Sequence, residues 1–266
     1  MGLPLRRYLR LWTRFAATAA MQEAEYRVNF MIGIAERLAQ VVVAVLSVLI
    51  MFRFTQHVAG WSVQQVLVLV GIYRVAEGLL NLQIAPNMMA LSGYIREGDL
   101  DFLLLRPVSS QFLVSFRLMT LPEVVNVLIG LGLALYAGRM AGLQVSAGGL
   151  AAAGAFGLCG LLLLYALWFF TVTWSFWLVK VDTLDSLFYS VFEAGRYPVS
   201  FFKGAIRALL TFVVPVAFAT TFPVEALQGR IDLHLLLAGL GLSGMALLTT
   251  GLFWRYAVRH YSSASS

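Results

Sequence analysis

Charge is what this sequence has least of. Asp, Glu, Lys and Arg make up only 12% of its residues and hydrophobic types 60%, whereas soluble domains carry about 25% charged residues. That balance excludes a water-soluble globular fold and defines an integral membrane protein. Cysteine is nearly absent too. Cys159 alone, in an apolar run, allows no intramolecular disulfide and no paired-cysteine metal site, and reads as a buried thiol packed like a small hydrophobe. The three histidines, His57, His234 and His260, are scattered near span ends and form no metal-ligand set. No Gly-x-x-x-x-Gly-Lys-Ser/Thr loop is present to cradle ATP, and no Gly-x-Ser-x-Gly elbow or His-Glu-x-x-His helix offers hydrolytic chemistry. Asp99 and Asp101 are two residues apart and do not share a helix face, so they read as turn and helix-start residues, not as a catalytic pair. The formal charge of +6 comes from arginines flanking apolar runs and points to no nucleic acid.

What is there is long hydrophobic runs. At about 20 residues per helical span, the 266 residues hold about six spans in one transmembrane domain, 1–266, with no room for a separate soluble domain. The predicted spans are Asn29–Phe52, Ser62–Ala85, Thr120–Ala137, Gly148–Leu178, Gly204–Phe222 and Leu233–Trp254. Residues 1–28 mix Arg6, Arg7, Arg10 and Arg14 with Leu5, Leu9, Leu11, Trp12 and Phe15, a pattern that fits an amphipathic helix at a membrane surface and lacks the continuous apolar core of a signal peptide. Residues 86–119 and 180–203 are expected to be polar loops. With the N-terminus cytoplasmic, the inner segments hold Arg6, Arg7, Arg10, Arg14, Arg27, Arg96, Arg106, Arg117, Lys180, Arg196, Lys203, Arg207, Arg255 and Arg259, and the outer turns Arg53, Arg139 and Arg230. The positive-inside rule then places both termini and both polar loops in the cytoplasm.

Four charges fall inside the first two spans: Glu36, Arg37, Arg74 and Glu77. Each costs roughly 2.5–3.5 kcal/mol in hydrocarbon unless it faces protein or water. Glu36 lies about 10 Å into the first span and Arg74 about 12 Å from the same end of the second. Matching depth predicts a Glu36–Arg74 pair and an Arg37–Glu77 pair. The other reading is a substrate or proton path lined by these residues, which Glu123 would extend.

The loop of about 30 residues over 86–119 is far longer than the ~2–8 residues usual between bundled helices, so it is expected to dock onto something. Two further features stand out. Asp182, Asp185, Glu193 and Arg196 in the second loop offer another contact or a lipid-headgroup site. Pro215 and Pro223 bracket Val216–Phe222, either kinking the fifth span or breaking it where its freed carbonyls face protein or a cavity.

Three short motifs occur in order on this frame: Gly98-Asp99-Leu100-Asp101 with Leu105-Arg106-Pro107, Phe192-Glu193-Ala194-Gly195-Arg196-Tyr197-Pro198, and Val214-Pro215-Val216-Ala217-Phe218-Ala219-Thr220-Thr221-Phe222-Pro223. Together the chain resembles an ABC type-2 transporter permease family, in a branch of export permeases. The resemblance implies an all-α fold of six transmembrane helices with an interfacial N-terminal helix. It further implies a cytoplasmic coupling helix between spans two and three and a re-entrant or broken segment before span six, at Pro215, Phe218, Phe222 and Pro223. It implies a second permease subunit, identical or related, in a heteromeric inner-membrane complex with two nucleotide-binding ATPase subunits. ATP and Mg would sit on those subunits, with no cofactor on this chain. The family's coupling segment maps onto Leu91–Pro107, with Tyr94, Ile95, Arg96, Glu97, Asp99, Asp101 and Arg106 as the expected ATPase contacts and Phe102 and the leucines packing on the permease body. The function expected is thus the permease subunit of an ATP-driven exporter. The competing reading is an ion-gradient-driven transporter or channel with its site at Arg74, Glu77 and Glu123. A lipid-modifying membrane enzyme is a third class, but no His, Asp or Ser cluster at one interface supports it.

Overall fold

The computed structural model describes residues 5–25, 27–178 and 182–261. They are almost wholly helical. The elements in chain order are α1 (Leu5–Glu25), α2 (Arg27–Met51), α3 (Val63–Glu97), α4 (Leu100–Leu104), α5 (Ser110–Phe116), α6 (Glu123–Met140), α7 (Ala147–Thr173), α8 (Asp182–Glu193), α9 (Gly204–Val213), α10 (Val216–Leu227) and α11 (Leu233–Arg259). Five of these, α2, α3, α6, α7 and α11, are long and apolar enough to cross a membrane singly, while α9 and α10 form a bent pair.

Between α2 and α3 the chain turns in a two-residue β-hairpin, His57–Val58 with Trp61–Ser62, whose connecting Ala59 and Gly60 take positive φ. Ser62 then starts α3 with a capping box: its hydroxyl accepts from Gln65 N and the Gln65 amide oxygen accepts from Ser62 N, which satisfies two otherwise orphaned donors. Trp61 and Gly98 mark the two ends of the bundle.

The second span does not stop at Ala85. α3 runs on for 35 residues to Glu97, through a π-turn at Leu80–Ile84. Pro86 has no N–H to give, so the Leu82 carbonyl one turn back loses its helical donor. The Thr120 N–H supplies it instead, at 3.0 Å. Beside it the Asn87 side chain brackets Leu118, its Nδ2 donating to the Leu118 carbonyl (2.8 Å) and its Oδ1 accepting from the Leu118 N–H (2.9 Å). Residues 86–97 of the expected loop 86–119 thus continue the helix, and the chain returning from α5 is hydrogen-bonded along the π-turn.

α6 packs antiparallel on α3 at backbone distance. A Cβ at Gly71 would lie 2.7 Å from the Gly130 carbonyl and 2.6 Å from Ala134 N, and one at Gly78 would lie 2.7 Å from the Val127 side chain. Small residues allow this approach, which dispersion then rewards. On the other side, α7 and α11 are joined by hydroxyl-to-carbonyl bonds, Ser243 to Cys159 (3.3 Å) and Thr250 to Ala166 (3.2 Å).

The segment expected as a second cytoplasmic loop, 180–203, is also not a surface loop. From Tyr189 to Ser200 it runs alongside α3 from Asn81 to the Trp61 end. Tyr189 donates to the Asn81 side chain (3.0 Å), the Phe192 ring lies 5.3 Å from that of Tyr73, and Ser200 Oγ accepts from Trp61 Nε1 (3.0 Å). Asn81 to Trp61 is about 30 Å of α-helix at 1.5 Å per residue, the thickness of a bilayer core. Phe188 and Phe192 are buried at i, i+4 spacing. The charges around them and two 3-10 turns near Gly195 and Val199 break the apolar run that a span normally shows. Lys180 lies outside the described residues.

The bent pair that follows is correspondingly not a through-going fifth span. α9 and α10 meet at Val214–Pro215 with a bend of 66°, and both flanks sit at the Trp61 end. Phe201 and Val224 pack in the same cluster as Trp61, Val199 N donates to Thr221 Oγ1 (3.1 Å), and the Ala226 carbonyl abuts Gly149 at the start of α7. Phe212 and Val213, both exposed, line an open groove with Leu167 and Phe170. The pair enters the bundle and returns, a re-entrant hairpin, and the last span follows as α11.

Candidate functional site

Two regions of the fold carry unusual residues. The first is the elbow at the Gly98 end. Gly98 closes α3 with φ +82°, a left-handed cap that glycine adopts without strain, and α4 follows at once. Leu100 and Leu103 are anchored in the main core with Met88, Leu91 and Ile95. Phe102 and Leu105 face outward, 68% and 82% exposed, beside the exposed Arg96, Glu97, Asp99 and Arg106. Of the contacts expected here, Ile95 is buried and Tyr94 is half-buried, with the Arg117 guanidinium 6.0 Å from its ring. Neither belongs to the outward face. Phe102, expected to pack on the body, belongs to it. A five-residue helix has one inward stripe, and Leu100 and Leu103 fill it. Asp101 lies beside Tyr261, where burial and the carboxylate together push the phenol pKa upward.

The same end collects α1 and the last turn of α11. Trp12 Nε1 donates to Gln83 (2.9 Å), Tyr8 packs edge-on against Phe112 (4.7 Å) and Trp254 Nε1 donates to Ser110 (3.1 Å). Arg6, Arg7, Arg10, Arg14, Arg27, Arg96, Arg106, Arg117, Arg255 and Arg259 lie toward this end. Arg53, Arg139, Lys203, Arg207 and Arg230 lie toward the other. Moving Lys203 and Arg207 across, and Arg196 into the bundle, reduces the asymmetry expected from sequence but preserves its direction.

The second region is a cavity of about 400 Å³ between α2, α3, α6 and α8, lined by Glu36, Arg37, Glu77, Glu123, Asn126 and Tyr189 among others. The expected pairs do not form. Arg74 binds Glu77 on its own helix at 2.7 Å and Gln40 across on α2 at 3.1 Å, while Arg37 binds Glu123 on α6 at 2.6 Å. Glu36 keeps only a 3.4 Å contact with the neighbouring Arg37 and a 3.2 Å bond from Gln40, and its side chain is 60% exposed. Depth matched as expected, but the side of the helix did not: Arg74 and Glu77 at i, i+3 share a face, and α6 brings a carboxylate closer to Arg37 than α3 does. Asn126 Nδ2 bridges Glu77 (3.2 Å) and Glu123 (3.3 Å), and Tyr73 donates to Glu77 (3.1 Å). Gln40, Asn126 and Tyr73 were not singled out in the sequence, although Gln40 stands four residues after Glu36 and Asn126 three after Glu123, the spacings that share a helix face.

The proline-bracketed residues are packed rather than open. Phe218 lies against Phe156 (6.2 Å) and over Gly239, and edge-on to Phe222 (4.9 Å), with Pro215 and Pro223 buried. Among the described residues no three His, Cys, Asp or Glu side chains are grouped to hold a metal ion.

Many apolar helices, a re-entrant hairpin and an outward-facing elbow define a multi-pass membrane protein of the transporter kind. The chain belongs to the ABC-2 transporter family: the family model described as ABC-2 family transporter protein matches residues 38–265. No curated protein and no solved structure matches it. The molecule is therefore a permease of an ABC transporter, and the ion-gradient transporter reading has no comparable support.

Proposed function

We propose that this chain is the membrane-spanning subunit of an ATP-driven exporter in a bacterial inner membrane, working beside a second permease subunit and moved by separate ATPase subunits that carry ATP and Mg. Both termini and the Gly98 elbow lie in the cytoplasm, as the excess of arginine at that end supports. The observation that carries the reading is the elbow itself. Leu100 and Leu103 are fixed in the core while Phe102 and Leu105 stand exposed among Arg96, Glu97, Asp99 and Arg106. Exposed apolar groups rimmed by charge mark a docking surface. A short helix rooted in the core by two leucines transmits a push on its outer face to α3 and, through the Leu118–Thr120 strap, to α6. The substrate crosses between permease subunits, with the re-entrant hairpin near the exit side.

Co-purification tests this. Phe102→Asp with Leu105→Asp is expected to fold and insert but to lose about tenfold or more of the ATPase subunit recovered with it, because central apolar anchors are typically worth 2 kcal/mol or more. Undiminished recovery would contradict the assignment of the elbow.

A further inference from the structure

α1 carries charge that the rest of the protein does not answer. Arg7, Arg10 and Arg14, spaced at i, i+3 and i+7, share one face of the helix. With Leu11, Pro107 and Val108 they line an open groove of about 410 Å³ between α1 and the chain that leaves α4, and no acidic side chain lines it. Elsewhere guanidinium groups are paired, Arg37 with Glu123, Arg74 with Glu77 and Arg196 with Glu193. Among the described residues, Arg7, Arg10 and Arg14 form no ion pair.

A second observation fixes what lies beside this groove. Trp12 Nε1 donates to Gln83 at 2.9 Å, and Gln83 stands about 30 Å along α3 from Trp61 at 1.5 Å per residue, the thickness of a hydrocarbon core. α1 is thereby held at the edge of the bilayer, among headgroups. Tyr8, Leu9 and Trp12 occupy its opposite face and line an apolar groove with Phe112 and Phe116, a face suited to hydrocarbon. The arginine face is then turned toward phosphate. A phosphodiester accepts charge-assisted, bidentate hydrogen bonds from guanidinium groups. A zwitterionic headgroup would bring an ammonium as well, and the groove meets that cation with three arginines and no carboxylate. We propose that the groove between α1 and Pro107–Val108 binds the phosphate of an anionic phospholipid from the leaflet at the Gly98 end, held by Arg7, Arg10 and Arg14. A lipid seated there touches both α1 and the chain leaving the elbow.

Nothing in this site depends on an ATPase, so binding is measured on the full-length chain in neutral detergent, by native mass spectrometry and thermal melting. The probes are phosphatidylglycerol, phosphatidylcholine with the same acyl chains, and inorganic phosphate. Phosphatidylglycerol is expected to add saturably as a single molecule and to raise the melting temperature, and the other two at the same concentration to do neither. Arg7→Gln, Arg10→Gln and Arg14→Gln should each weaken phosphatidylglycerol binding about fivefold, the contribution of one basic residue beside a headgroup. Arg6→Gln removes the same charge from an exposed position of the same helix outside the groove and should change binding by less than about twofold. Melting of each variant without lipid checks that it is folded. Equal stabilisation by phosphatidylcholine, or by inorganic phosphate alone, would overturn the assignment to an anionic lipid. An equal loss from Arg6→Gln would replace the groove by the diffuse attraction of a basic helix, and unaltered binding by the three folded groove variants would remove it altogether. None of those results bears on the ATP-driven reading.

Discussion

Buried charge in this protein is managed by neighbours on the same helix as much as by partners across it. Arg74 pairs with Glu77 within α3, and Gln40 accepts from its two terminal nitrogens through both its side chain and its carbonyl. The Arg37–Glu123 contact is the one that ties α2 to α6, with both side chains largely shielded. Removing one member of such a pair leaves an uncompensated charge, which costs about 3–5 kcal/mol. Arg37→Leu is therefore expected to lower the melting temperature of the purified protein sharply, and Arg37→Leu with Glu123→Leu to recover much of the loss. Glu36→Gln, at an exposed rim, should change stability by no more than about 0.5 kcal/mol. If Glu36→Gln destabilised as much as Arg37→Leu, the pairing seen here would be wrong and the depth-matched Glu36–Arg74 pair would return. That Arg37, Arg74 and Glu77 are shielded charges was legible from the sequence, because they interrupt apolar runs; Glu36 interrupts one too, yet its side chain is 60% exposed. Their partners were not, since depth follows from counting along a helix while its rotation depends on tertiary packing.

At the level of elements, the sequence made four of the spans, α2, α6, α7 and α11, plain through length and hydrophobicity alone. It misled where a helix is held by something other than an apolar run. The second span was expected to end at Ala85, but the helix continues because the π-turn and the Thr120 N–H absorb what Pro86 removes. The stretch through α8 looked like a polar loop, because Phe188 and Phe192 carry its buried stripe and Glu193, Gly195, Arg196 and Pro198 interrupt it. Val216–Phe222 looked like part of a broken span, and Pro215 does mark the bend, while Pro223 sits within α10. The consequence can be tested by labelling. In a Cys159→Ser background, Lys203→Cys should react with a membrane-impermeant thiol reagent added to intact cells. Asp99→Cys should react only after the membrane is opened. Labelling of both positions from the same side would contradict the crossing of 182–201.

For the whole molecule, the two ends differ in kind. The Trp61 end is closed by a hairpin, three capped helix starts and the returning bent pair. The Gly98 end gathers the basic α1, the elbow and the tail of α11, and leaves Phe102 and Leu105 bare. In the proposed function a separate motor needs a place to push, and the proposal puts it at this end, on the longest helix among the described residues. The most direct measurement is site-specific photo-crosslinking in the native membrane, with a benzophenone amino acid at Phe102 and, as a control, at the still more exposed Phe54 near the Trp61 end. The account predicts that Phe102 forms an adduct with a protein bearing a Walker phosphate loop, in a yield that changes with ATP, and that Phe54 does not. No such adduct at Phe102, or the same adduct at Phe54, would contradict it.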